Sequence, residues 1–186
     1  MKNSWVFILF TLLISCSDAP IPKPMGYFRV GLPDHKYSIA QIDDCPYSFE
    51  LNSSARILKK ENCWSDVEYP DLKATIQLTY HNFDVYNLEK LIDDGRRMAY
   101  SHTKVADGMN ERIYINHENS VYGILYEMKG QVATSTQFFM TDSTDNFLRG
   151  VLYFYSHPNP DSLRDVNKFM EQEIQHMIET LKWKNG

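Results

Sequence analysis

The stretch from Glu111 to Ser156 constrains the fold of this chain more than any other. It divides into four segments with a two-residue period: ERIYIN (111–116), VYGILYEM (121–128), QVATSTQFFMT (131–141) and NFLRGVLYFYS (146–156). A period of two belongs to β-strands, whose successive side chains point to opposite faces. The segments are separated only by HENS, Lys129-Gly130 and DSTD. Connections this short join antiparallel neighbours, because a parallel crossover needs a dozen residues or more. The segment therefore predicts a four-stranded meander. In its last strand Phe147, Val151, Tyr153 and Tyr155 share one face, and Leu148, Leu152 and Phe154 the other. Apolar residues on both faces predict a central strand covered on both sides.

Upstream, GYFRVGL (26–32) predicts a short strand ended by Pro33-Asp34. YSFELN (47–52) and SARILKK (54–60) predict two strands joined by a tight Asn52-Ser53 connection. KATIQLTYH (73–81) sets Ala74, Ile76, Leu78 and Tyr80 against Lys73, Thr75, Gln77 and Thr79, the pattern of a strand with one wet face. The period changes over 85–109. There Leu88, Leu91, Ile92, Gly95, Met98, Ala99, His102 and Val105 recur at three- and four-residue steps, and Asp107-Gly108 reads as a stop. Gly95 on that face admits a close neighbour. A second helix opens at Asn159-Pro160-Asp161, with a cap residue, a proline in the first turn and an acid behind it. Leu163, Val166, Met170, Ile174, Met177, Ile178 and Leu181 form its apolar stripe. The class is α+β: a single antiparallel β-sheet packed by two main helices. In topology it is similar to the PsbP/Mog1-type sandwich, a likeness of shape that carries no function.

A chain of 186 residues with 43% hydrophobic side chains fits one domain, with or without a tail. The net charge of −5 and the lack of any long Lys/Arg run argue against a nucleic-acid binder. The amino terminus has its own logic. One lysine is followed by an apolar run, Trp5 to Ile14. The run is too short to span a ~30 Å hydrocarbon layer, which needs roughly 20 residues. It reads as an export signal. Leu13-Ile14-Ser15-Cys16 looks like a bacterial lipobox, in which the cysteine sulfur receives a diacylglycerol and the bond before it is cut. The plainer alternative is a chance cysteine beside an ordinary signal peptide. Two or three acyl chains make a stable anchor where one is marginal. SDAPIPKPM then supplies a proline-rich, semi-rigid tether. The expected organisation is a signal peptide over 1–15, a lipidated cysteine and tether over 16–25, and a single domain over 26–186.

Export implies an oxidising compartment. With Cys16 acylated, Cys45 and Cys63 remain. They read as a structural disulfide worth roughly 3 kcal/mol in the chain-entropy picture, with two buried free thiols as the alternative. A redox pair or metal site is disfavoured, since there is no C-x-x-C and no adjacent histidine. No nucleophile elbow, P-loop, dinucleotide fingerprint or H-E-x-x-H is present, and His117-Glu118 lacks the second histidine. His102 reads as a core or boundary histidine. Asp142 and Asp145 read as turn residues rather than calcium ligands, because the D-x-D-x-D-G pattern fails. Arg96-Arg97 reads as a solvated face offset by Asp93 and Asp94. No catalytic residue, metal ligand or cofactor is assigned.

The blocks PKPMGYFRVGLP, CPYSFEL, CWSDVEYPDLKATIQLTYHNF, GRRMAYSHTKVADGM, GILYEMKGQVATSTQFFMTDSTDNFLRGVLYFYSHPNPDSL and MIETLKW together resemble the gliding motility-associated lipoprotein GldD family of Bacteroidetes. The resemblance implies a lipid-anchored envelope protein needed for gliding, acting with machinery that also supports type IX secretion. It brings no catalytic residue. Cys16 matches the family's acylated cysteine, and Cys45 and Cys63 match its paired body cysteines. The expected function is that of a non-enzymatic accessory lipoprotein, anchored to a membrane through Cys16 and periplasm-facing. Other gliding or secretion proteins of the envelope are its expected partners. Two alternatives stand beside it. One is a small-ligand binder with a pocket lined by Tyr122, Tyr126 and Phe138. The other is an envelope hydrolase, which would gather His102, Arg97 and a carboxylate in one cleft.

Overall fold

The computed structural model describes residues 31–40, 42, 44–83, 85–101, 106–130, 134–155 and 160–184. The expected signal, Cys16, the tether and His102 lie outside the described residues. The chain forms β1 (Tyr37–Ala40), β2 (Tyr47–Asn52), β3 (Arg56–Lys59), β4 (Ser65–Tyr69), β5 (Ala74–Asn82), α1 (Val85–Ser101), β6 (Gly108–Asn116), β7 (Val121–Lys129), β8 (Thr136–Thr141), β9 (Asn146–Phe154), α2 (Pro160–Glu179) and β10 (Lys182–Trp183). Among the described residues the class is α+β, with antiparallel sheets and two α-helices.

A seven-stranded sheet runs in the order β3-β4-β5-β9-β8-β7-β6. The expected meander supplies one half of it in unbroken sequence order. β9 occupies the middle, as its two apolar faces require. On one face Leu148 and Leu152 enter the larger core beneath α2, with Ile76, Leu78 and Phe138. On the other, Phe147 joins Phe139, Tyr126 and Ala99 beneath α1. The strands approach so closely that two positions exclude a side chain. A Cβ at Gly150 would lie 2.2 Å from the Phe138 ring, and one at Gly123 would lie 1.9 Å from the Phe139 carbonyl oxygen.

The single expected sheet resolves into two. β2 pairs with β1 on one side and β10 on the other, forming a separate three-stranded sheet. β2 and β3 are therefore not a hairpin across Asn52-Ser53. The Asn52 Oδ1 accepts the backbone N–H and the hydroxyl of Ser54, a side-chain turn that sends the chain from one sheet to the other. A disulfide joins Cys45, just ahead of β2, to Cys63, just ahead of β4, with Cα atoms 5.4 Å apart. It thus staples the small sheet to the large one. Of the strand expected over 26–32, residues 26–30 lie outside the described residues, and Gly31 and Leu32 are irregular; the first described strand begins at Tyr37.

The helix expected over 85–109 is described to Ser101, and Gly108 and Met109 already belong to β6. Met109 packs into the α1 cluster from the sheet side. Leu88, Leu91 and Ile92 face the sheet, and Gly95 lies 3.6 Å (from an added Cβ) from the Phe139 ring. Met98, although on the same side of the helix as Leu91, is 47% exposed. α2 buries Val166, Met170, Ile174, Met177 and Ile178 as expected, and Phe169 and Glu173 with them.

Candidate functional site

The most developed polar arrangement lies where α2 crosses the three-stranded sheet. His35, Tyr37, Gln172, Gln175, His176 and Glu179 line an open groove of about 340 Å³. The helical positions recur three and four apart, so one side of α2 presents them all. His35 and Tyr37 come from the lead-in to β1 and its first residue.

Beneath the groove sits Glu173, 3% exposed. Its Oε1 accepts from His35 Nδ1 (2.8 Å), Tyr37 Oη (3.0 Å) and Asn52 Nδ2 (3.3 Å). Its Oε2 accepts from Tyr69 Oη (3.0 Å). The donors arrive from β1, β2 and β4, so one carboxylate ties α2 to both sheets. A buried charge is tolerated only with such compensation. Burial, the hydrogen bond to Glu173 and its negative charge push the Tyr37 phenol up to about 12. Burial, followed by the charge of Glu173, drives Tyr69 further in the same direction. Both phenols therefore stay neutral and donate. Nearby, His176 Nε2 donates to Glu50 Oε2 at 2.8 Å, and its ring stacks on Tyr37 with centroids 3.6 Å apart. His35 stacks on Phe169.

A carboxylate orienting an imidazole is the supporting half of a hydrolytic triad. Among the described residues lining the groove there is no serine, threonine or cysteine to act as the nucleophile. The groove is instead a hydrogen-bonding surface of imidazole, phenol and amides over a satisfied carboxylate. None of its residues was singled out from sequence except as part of a helix. The available signal was an acid at 173 between Met170 and Ile174, inside an otherwise apolar stripe.

The residues that were singled out do not converge. Tyr126 and Phe138 lie on opposite faces of the large sheet, Tyr126 in the α1 cluster and Phe138 in the other core. They and Tyr122 cannot line one pocket. Arg97 pairs with Asp94 one helical turn away, at 2.5 Å, on the outside of α1. Asp142 is a turn residue: its Oδ1 accepts the backbone N–H groups of Thr144, Asp145 and Asn146, each at 2.9 Å. Burial raises its pKa, but these bonds and one from the Asn146 amide outweigh that and leave it lowered. Among the described residues, no three His, Cys, Asp or Glu side chains gather where they could hold a metal ion.

Among solved structures, the chain is similar to cyanobacterial PsbP (CyanoP) from Synechocystis sp. PCC 6803. The TM-score is 0.46 and the identity 9%, with 87% of this chain and 99% of that one covered. No curated protein matches the sequence. No described helix is long and apolar enough to cross a membrane. A family model described as gliding motility lipoprotein GldD matches residues 17–183, the whole folded body and the segment leading into it. The chain belongs to the gliding motility lipoprotein GldD family, which makes it a membrane-anchored envelope lipoprotein associated with gliding motility.

Proposed function

We propose that the protein is a non-enzymatic accessory component of the gliding and type IX secretion machinery, held at a membrane by acyl chains on Cys16 and facing the periplasm. The observation that carries this reading is the extent of the family match. It begins at residue 17, immediately after the lipobox cysteine, and runs to 183. Two or three acyl chains anchor stably. A proline-rich tether of about ten residues then holds the body within roughly 30 Å of the bilayer, at ~3.1 Å per residue. Confinement of this kind raises the effective concentration of the body for membrane partners, so weak contacts suffice. The saturated state of Glu173 supports a structural role for the groove, since both carboxylate oxygens are already engaged within the fold.

The test is deletion with complementation. Loss of the protein should abolish gliding, or export of a type IX reporter. Chemical crosslinking in intact cells should then join it to other envelope proteins of that machinery. Normal gliding and normal reporter export in the deletion strain would refute the role.

A further inference from the structure

The seven-stranded sheet ends in β3 on one side and β6 on the other. The two ends are built differently. β3 is four residues long and carries Arg56 and Lys59, with Lys60 behind it. A short, cationic edge resists further pairing. β6 is nine residues long, contains no lysine or proline, and leaves Ile113 70% and Ile115 64% exposed. No described strand lies outside it.

The backbone of this edge is open as well. Along an antiparallel ladder, successive residues hydrogen-bond to alternate sides. The Met128 N–H of β7 donates to the Ser135 carbonyl, toward β8. The even-numbered residues of β7 therefore serve β8, and the odd-numbered ones serve β6. Leu125 and Gly123 stand opposite Arg112 and Tyr114. Arg112 and Tyr114 are thus bonded to β7, and Glu111, Ile113 and Ile115 turn their N–H and C=O groups outward. Such a row of donors and acceptors is matched in spacing by another extended strand.

The two charges of β6 do not guard the edge. Arg112 pairs with Glu127 at 3.2 Å and donates to Gln175 of α2 at 2.9 Å. Glu111, on the opposite face, accepts from the Tyr100 hydroxyl of α1. Ile113 and Ile115 share the face of Glu111 and stay uncovered.

The sequence of β6 is complementary to itself. Two copies that meet edge to edge in one continuous antiparallel sheet are related by a two-fold axis through one residue. An axis at Glu111 or Arg112 sets like charges opposite each other. An axis at Asn110 or Ile113 sets an isoleucine against Asp107 or Glu111, and one at Ile115 pairs only Tyr114 with Asn116 within the strand. An axis at Tyr114 sets Ile113 against Ile115, Glu111 against His117 and Arg112 against Asn116, each of these twice. Apolar meets apolar, acid meets imidazole, and no like charges face each other. In this register Ile113 and Ile115 also form the hydrogen-bonded pairs, as their outward backbone requires.

We propose that β6 is a self-association edge: two copies of this chain join β6 to β6 antiparallel about Tyr114 and merge their large sheets into one.

The test is cysteine crosslinking of the full-length lipoprotein in intact cells, with copper phenanthroline as oxidant. The two Tyr114 Cα atoms would form a non-hydrogen-bonded pair about 4.5 Å apart, within disulfide reach. Tyr114→Cys should therefore give a dimer on non-reducing gels, with position 114 joined to position 114 in mass spectrometry. Asn110→Cys should not, because its two copies would lie about 27 Å apart along the strands. Adding Ile113→Lys to Tyr114→Cys should lower the crosslinked fraction about tenfold, whereas adding Leu58→Lys, on the β3 edge, should leave it unchanged. Sedimentation equilibrium in detergent needs no added cysteine: wild type should dimerise, and Ile113→Lys, at an exposed position, should raise the Kd about tenfold or more. The proposal is overturned if wild type is monomeric, or if Ile113→Lys leaves its dimer unchanged. It is also overturned if a folded Tyr114→Cys joins another envelope protein or nothing, or if Asn110→Cys crosslinks in its place. Both readouts are taken without motility, so their failure is distinct from failure of the gliding role.

Discussion

Replacing Glu173 by alanine removes the one acceptor on which β1, β2, β4 and α2 converge. Two of its donors, Tyr69 and Asn52, are each 2% exposed and have no route to water. A stranded buried donor costs about 1–3 kcal/mol. Tyr37 and His35 lie at the groove and rehydrate, so they add little. For the two donors the sum is about 2–6 kcal/mol. For a domain of this size, each kcal/mol lowers the melting temperature by about 2–4 °C, so Glu173→Ala should melt roughly 4–24 °C below wild type. Glu173→Gln keeps the shape and one acceptor, and Tyr hydroxyls can turn to accept from its amide, so about 1–2 kcal/mol is expected. Thermal and urea unfolding followed by circular dichroism, with the disulfide intact, measures both. A Glu173→Ala variant within ~1 kcal/mol of wild type would refute the reasoning, because the donors would then have to be satisfied without the carboxylate.

The same network sets the alkaline limit. The Tyr37 phenol rises from 10.0 to about 12, through burial first and then its bond to Glu173, and burial lifts Tyr126 to about 12 as well. The folded state holds these protons more tightly than the unfolded chain. Their stabilisation is thus complete below about pH 10 and is lost as pH rises towards 12. Ultraviolet titration should show phenols ionising together with unfolding; a full tyrosine titration near pH 10 in a still-folded protein would contradict this. Reduction of Cys45–Cys63, or the double alanine variant, should cost about 3 kcal/mol, read as a drop in the denaturation midpoint. Gly123→Ala drives a methyl group into the Phe139 carbonyl and should destabilise by at least ~2 kcal/mol, whereas Gly95→Ala should be tolerated.

Where sequence reading succeeded, local physics decided the structure. β9 could be placed in the centre because both of its faces are apolar, and the stripe on α2 needed only the helical period. Where it fell short, the deciding partner was remote. YSFELN carries nothing to show that it pairs with Lys182–Trp183 rather than with its neighbour in the chain. Met109 fits a helix and a strand equally well by spacing, and its backbone is settled by pairing with Met128. Glu173 was legible only as an anomaly, an acid inside an apolar stripe. Its meaning depends on Tyr37, Tyr69 and Asn52, which lie more than a hundred residues away in the chain.

The anchoring of this body is tested most directly by fractionating and scoring one variant, Cys16→Ala, in a strain lacking the native gene. If the body works as a lipid-tethered accessory, wild type will partition with membranes and restore gliding or type IX reporter export. Cys16→Ala will leave the membrane fraction and restore neither. Full restoration by Cys16→Ala recovered in the soluble fraction would contradict it.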